Sequence, residues 1–226
     1  YQKTISIGFS AINIATGKSY IHKIISHKRD GNLWKDELFR LIHYYSPSEI
    51  IFHYDENIIN LKRNEISNQW DINEEILYIN LYKEKCFQKI NYQNEFLKKI
   101  FRETNEPIQY IGLERDTEML LSYIYMIQFI YEHKFENLKD LPKPILKEDN
   151  KYLLLSHNCI YQLYLIENKE HSKRKYNSLL KIINDCKTAI GRRLCKERLL
   201  YPILDKNILN ERYKEISKFQ KKINNK

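Results

Sequence analysis

Five glycines and five prolines in 226 residues leave this chain little material for turns. Both residue types punctuate secondary structure, and both fall well below ordinary usage here. A chain so short of breakers favours long helices over loops. Its length suits one large domain or two small ones, and a hydrophobic fraction of 42% is enough for a packed core.

The hydrophobic period changes along the chain. "TISIGFSAINI" and "KSYIHKIIS" are rich in β-branched and aromatic residues, and "ATG" between them supplies the glycine of a hairpin turn. After "RDGN", Trp34, Leu38, Leu41, Ile42 and Tyr45 recur at helical spacing, with Asn32 placed to cap the helix and Pro47 to end it. "SEIIFHY" reads as a short buried strand. The polar stretch from Asp55 to Glu75 breaks the pattern. "ILYINLY" then resumes as a strand, "NEFLKKIF" as a helix and "PIQYIGL" as an extended piece. Beyond Gly112 the pattern is helical: about Thr117 to His133, a linker with "LPKP", an extended "YLLL", a helix near His157 to Glu167, and a charged loop "NKEHSKRKYN". Two helical runs follow, and Asp205 caps a last helix. One α/β domain over 1–112 precedes the start of an all-helical domain over 113–226.

The formal charge is +9 with a pI near 9.1, a field that favours polyanions. Acidic residues interrupt the basic ones ("KEDNK", "LKDL", "ERYKEI"), which reads as a mixed, solvated surface with a DNA-contacting face as the alternative. Cys86, Cys159, Cys186 and Cys195 form no CxxC pair, and the histidines no zinc pattern. That spacing points to reduced thiols in an intracellular compartment. "MLLSYIYMIQFIY" is too short for a bilayer, and no secretory signal is present, so no membrane partner is expected. Starting at Tyr1 and stopping inside a helical pattern, the chain reads as a piece of a longer protein.

Several catalytic motifs fail on inspection. "TGKSY" ends like a phosphate-binding loop, but Ile12 stands where that loop needs its first glycine, and the residues after Gly17 alternate like a strand. A hairpin, a helix and a strand in that order resemble the ribonuclease-H-like fold, whose nucleases hold two metal ions on clustered carboxylates. No Asp or Glu occurs between Thr4 and Ile14. "GRRLCKER" suits an arginine-rich helix for a groove, but Leu194, Leu199 and Leu200 commit much of it to a core, and Gly191 fits close helix packing. No catalytic, cofactor-binding or metal-ligating residue is expected.

The tract "SLLKIINDCKTAIGRRLCKERLLYP" resembles the core domain of the MutS family of DNA mismatch-repair proteins. That family carries Leu-Leu, a short gap, Asn or Asp, then Thr-x-Thr-x-Met-Gly-x-Arg-x-Leu, and later Trp-Leu-x-x-Pro. Thr188, Gly191, Arg193, Leu194 and Pro202 fall in place, and Arg212 matches the arginine of the following helix. Upstream, "LSHNCIYQLYLI" is similar to Leu-Asp-x-x-Thr-x-x-Asn-Leu-Glu-Leu through Leu155, Leu163 and Leu165. The first domain resembles the family's connector in "SAINIATGKSYIHKI" and "SPSEIIF". Ser156, Cys159, Tyr164, Cys186 and Arg198 depart from the pattern, at positions that read as packing or capping. The chain looks most like the large forms of giant viruses and octocoral mitochondria.

The resemblance implies a ribonuclease-H-like α/β connector followed by a partial, all-α MutS core. It implies a parent protein that clamps mismatched double-stranded DNA as a homodimer, uses ATP and Mg held elsewhere in the full-length protein, and offers its connector to a MutL-like partner. The compartment would be a viral factory, the cytoplasm or a mitochondrion. A helical adaptor without a nucleic-acid role and a ribonuclease-H-like nuclease are the other readings.

Overall fold

The computed structural model describes residues 4–26, 32–55, 61–82, 84–134, 138, 141–147, 152–153, 155–167 and 177–224. Most of the expected "RDGN" turn and of the charged loop at 168–177 lies outside them. The chain divides into two compact units, Tyr1–Lys147 and Glu148–Lys226.

The first unit opens with the expected hairpin. Strands β1 (Ile5–Ile12) and β2 (Ser19–Ser26) pair antiparallel, with Phe9 opposite His22 and Ala11 opposite Tyr20. Gly17 takes a left-handed φ of 68° in the turn, and the Asn13 side chain accepts from the amides of Ala15 and Thr16. Helix α1 (Leu33–Tyr45) buries Trp34, Leu38, Leu41 and Ile42. Asn32 sits at its N-cap position but makes no capping bond through its side chain, and left-handed Ser46 closes the helix just before Pro47.

Strands β3 (Ile50–Phe52) and β4 (Leu77–Ile79) pair in parallel. Between them, the stretch that reads as patternless holds helix α2 (Arg63–Trp70). Its signals are short: the Glu65 carboxylate accepts from the Lys62 amide, and Ile66 and Trp70, four residues apart, are fully buried. Trp70 packs near Trp34 and Phe52, and its indole donates to the Lys35 carbonyl at 3.0 Å.

Helices α3 (Ile90–Lys98), α4 (Pro107–Ile111) and α5 (Thr117–Lys134) complete most of the core. "PIQYIGL" is therefore helical rather than extended. Proline opens α4, Ile108 and Ile111 are buried one turn apart, and Gly112 closes it at φ 77°. Among the described residues no helix is long and apolar enough to cross a membrane.

The expected boundary at 112/113 is displaced to 147/148. Helix α5 belongs to the first unit because it lies directly on β1: a β-carbon built on Gly8 would stand 2.0 Å from the Glu118 carbonyl oxygen. Ser122 also donates to Ser10 at 3.0 Å, and Lys23 of β2 pairs with Asp116 at the foot of α5. The "LPKP" stretch leads into β5 (Ile145–Leu146), which runs parallel to β2. The unit is mixed α/β, with its described strands in two sheets, β1-β2-β5 and β3-β4, rather than in one central sheet. Three-residue β3 has few ladder bonds to offer and takes them from β4.

The second unit is helical: α6 (His157–Gln162), α7 (Leu179–Ile183), α8 (Ala189–Leu200) and α9 (Lys206–Asn224). Among its described residues, Tyr152 and Ile203 form an antiparallel bridge.

Because any side chain at position 8 meets backbone, Gly8→Ala should destabilise the first unit by more than about 2 kcal/mol. Gly112→Ala, where nothing lies within 4 Å and only the left-handed φ is penalised, should cost about 1 kcal/mol. Urea unfolding of both variants checks the order; equal losses would contradict the close approach of α5.

Candidate functional site

The tract from Ser178 to Asp205 is a set of locally capped helices. The Ser178 hydroxyl accepts from the Lys181 amide and opens α7. The Thr188 hydroxyl accepts from the Gly191 amide at 3.0 Å and opens α8. Asp205 accepts from the Asn207 amide at 2.7 Å and opens α9. Each satisfies an amide that the first helical turn leaves without a partner. Ser156 does the same for α6 through the Cys159 amide, so serine there retains the capping capacity of aspartate. Cys186 caps nothing; Thr188 has that role.

Gly191 is explained differently from expectation. It stands three residues into α8, near its start rather than its middle. A β-carbon there would lie 3.0 Å from the Thr188 hydroxyl and 3.2 Å from the Cys186 β-carbon. The glycine makes room for the capping loop, not for a second helix.

The remaining motif residues spread over the unit. Leu165 is buried, with its carbonyl accepting from the Leu180 amide, whereas Leu163 is 59% exposed beside left-handed Tyr164. Leu155 is half-buried. Pro202 accepts from the Leu153 amide at 2.8 Å, which ties the end of α8 to the strand-like segment at 152–153. Arg193 is exposed and lies over the Ala189 carbonyl, and Arg212 is half-buried on α9. Thr188 and Gly191 are thus brought together; the others serve separate joints.

The expected core along α8 holds only at its end. Leu200 and Tyr201 are buried, Leu199 is half-buried, and Leu194 is 41% exposed. Tyr201 meets Tyr152 edge to face, so packing concentrates where the bridge lies. Further apolar side chains, Ile182, Ile190, Ile216 and Phe219, are exposed on α7, α8 and α9.

Electrostatics separate the two units sharply. Up to Lys147 the chain has 20 basic and 20 acidic residues; beyond it, 18 basic and 9 acidic. The whole excess of +9 falls in the second unit. Reading charge runs one at a time conceals this imbalance, and a count by segment finds it. On α9, Lys214, Lys218 and Lys221 line one shallow hollow with Asn210, Tyr213 and Ser217. Their spacing of four and three residues puts them on one helical face at successive rises of about 6 and 4.5 Å. Between the end of the α6 segment and α7, Glu167 pairs with Lys181 at 2.8 Å, which holds its carboxyl below the ordinary range. On α8, burial lowers the Lys196 ammonium.

Among the described residues of the first unit, His53 is strongly displaced. His53 stacks on Tyr125 at 4.0 Å and near Tyr82 at 5.9 Å, and burial lowers its pKa to about 4. Among the described residues, no group of three or more His, Cys, Asp or Glu is placed to hold a metal ion.

MutS domain III matches residues 158–226 of this chain. A protein of Acanthamoeba polyphaga mimivirus, described as a DNA mismatch repair protein mutS homolog, is 33% identical over 90% of the chain and 20% of its own length. The chain belongs to the MutS family. The DNA mismatch repair protein MutS of Caldanaerobacter subterraneus is 28% identical over 94% of the chain and 22% of its own length. The mitochondrial mutS homolog of the octocoral Sarcophyton glaucum is 38% identical over 60% of the chain and 13% of its own length. The chain thus spans about a fifth of the first two MutS relatives. Giant-virus and octocoral proteins are both among the relatives, as the motif pattern implied.

Two outcomes follow. Thr188→Ala should cost the second unit about 1 kcal/mol, with Thr188→Ser close to the parent, as read by urea unfolding followed by helical circular dichroism. For His53, the unfolded chain binds a proton below about pH 6.5, while the folded unit resists protonation down to about pH 4. Stability should therefore fall as pH drops through that window, and His53→Phe should flatten the fall.

Proposed function

We propose that this MutS-family chain is a connector-plus-lever segment that links DNA grip to nucleotide state in a mismatch-repair ATPase. The charge partition carries the reading: a neutral α/β unit is joined to a helical unit holding the entire positive excess. A neutral body suits protein contacts, and a basic one suits the phosphate backbone, whose neutralisation supplies most sequence-independent affinity.

In this reading the second unit presents the Lys214–Lys218–Lys221 face of α9 to double-stranded DNA. The exposed apolar side chains of α7 to α9 pack against further parts of the full-length protein. A rigid helical unit of this kind transmits motion when its packing has two discrete arrangements. The first unit is a connector related to the ribonuclease-H-like fold, supported by its hairpin, helix and strand order, and it offers a surface to a MutL-like partner. The full-length protein acts as a homodimer on mismatched DNA in a reducing intracellular compartment: a viral factory, the cytoplasm or a mitochondrion.

ATP and Mg would bind outside this chain. Gly17, Lys18 and Ser19 turn the β1–β2 hairpin rather than opening a helix, so they do not fit a triphosphate.

Titration of the 226-residue chain with a short labelled duplex at increasing salt tests the DNA reading. Binding should weaken steeply between about 50 and 200 mM salt. Replacing Lys214, Lys218 and Lys221 with glutamine should make the log–log salt slope shallower by about 2 to 3 if each contacts a phosphate. An unchanged slope would remove α9 from the DNA interface, and salt-insensitive binding would favour an adaptor without a nucleic-acid role.

A further inference from the structure

Cys186 and Cys195 are nine positions apart and belong to different elements, the loop before α8 and the helix itself. Gly191 lets them meet. The Cys186 sulfur lies 3.4 Å from where a β-carbon on Gly191 would stand. Cys195 follows Gly191 by four residues, on the same helical face, and helical side chains lean toward the N-terminus. The Cys195 side chain therefore leaves the helix on the side of the bare glycine and Cys186. The two thiols interact directly. Burial raises the Cys195 thiol, and the charge of Cys186 and a hydrogen bond with it raise it further. Both cysteines are half-buried and reduced.

We propose that Cys186 and Cys195 form a dithiol oxidation site, which a small-molecule disulfide of the glutathione class converts into an internal disulfide across the start of α8. The inference stands on the thiol geometry and does not depend on the DNA-repair reading. The Cys186 thiolate attacks one sulfur of the donor. The donor's S–S bond breaks, and one donor thiol leaves with a proton. Capping Cys186 removes the negative charge that opposes ionisation of Cys195, while Arg198 continues to favour its thiolate. Cys195 then attacks the Cys186 sulfur of the mixed disulfide and expels the second donor thiol, which takes up the proton released from Cys195. Two protein thiols are oxidised and one donor disulfide is reduced to two thiols, so electrons and protons balance. The product fastens the capping loop to the helix it caps.

The other two cysteines supply internal controls. Burial keeps the Cys86 thiol raised, helped by the hydrogen bond it donates to Glu84 at 3.3 Å, and Cys159 belongs to α6. The experiment incubates the 226-residue chain with oxidised glutathione, blocks remaining thiols and maps peptides without reduction. Trypsin cuts after Lys187, Arg193 and Lys196, so the bridge would join peptides 182–187 and 194–196. The expected result is that linked pair, lighter by two hydrogens, persisting in a Cys86→Ser, Cys159→Ser variant. Cys195→Ser should instead accumulate a glutathione adduct on Cys186. Separate adducts on Cys186 and Cys195 without the linked pair, or no reaction at either, would overturn the proposal.

Discussion

Helix α5 lies so close to strand β1 that position 8 has no space for a β-carbon. Much of the first unit depends on that approach. It aligns Ser122 with Ser10 and sets Asp116 beside Lys23. It also brings Leu120, Tyr123, Ile124 and Ile127 into the cluster that takes Ile21 from β2. The core is therefore built across more than a hundred residues of sequence, and ordering it requires the closure of a long loop. One absent methyl group permits the arrangement, because packing at native density tolerates no backbone overlap.

The second unit is organised by another kind of interaction. Among its described residues, apolar side chains are few in the interior and many at the surface, so local hydrogen bonds define its helices more than burial does. Ser156, Ser178, Thr188 and Asp205 each cap a helix within three residues of sequence. Such bonds need no distant partner. They let the unit keep helical definition while Ile182, Ile190, Ile216 and Phe219 stay exposed.

This contrast explains what the sequence disclosed. The hairpin, α1, α5 and the Asp205 cap were legible because alternation, helical spacing and capping residues are local signals. Helix α2 was not, since Ile66 and Trp70 are its two large apolar residues and the surrounding polarity masks the period. α4 reads as extended because five residues with β-branched content resemble a strand, although Pro107 and Gly112 bracket it as a helix. The unit boundary, at Lys147 rather than Gly112, is hidden for a related reason. Helices α3 and α4 already precede Gly112, and the contact of α5 with Gly8, which keeps α5 in the first unit, is a tertiary fact that no window contains. Leu194 shares a helix with buried Leu200 yet is 41% exposed, a difference that leucine content alone does not reveal. The motif residues gave the family from their order alone, while the roles of Thr188 and Gly191 required coordinates.

The departures from the MutS pattern acquire a physical sense at the same joint. Two threonines precede the glycine in that pattern, and here the second of them, Thr188, carries the cap. Position 186 is thereby released from capping and can hold sulfur at no cost to the helix start. Gly191 then has two neighbours to admit, the capping hydroxyl and the Cys186 side chain, and a larger residue would crowd both. Arg198, where tryptophan is common, removes a large apolar side chain from α8 and adds charge to a unit already rich in it. Cysteine at 186 and arginine at 198 thus set the chemistry around the helix, while Thr188 holds its cap.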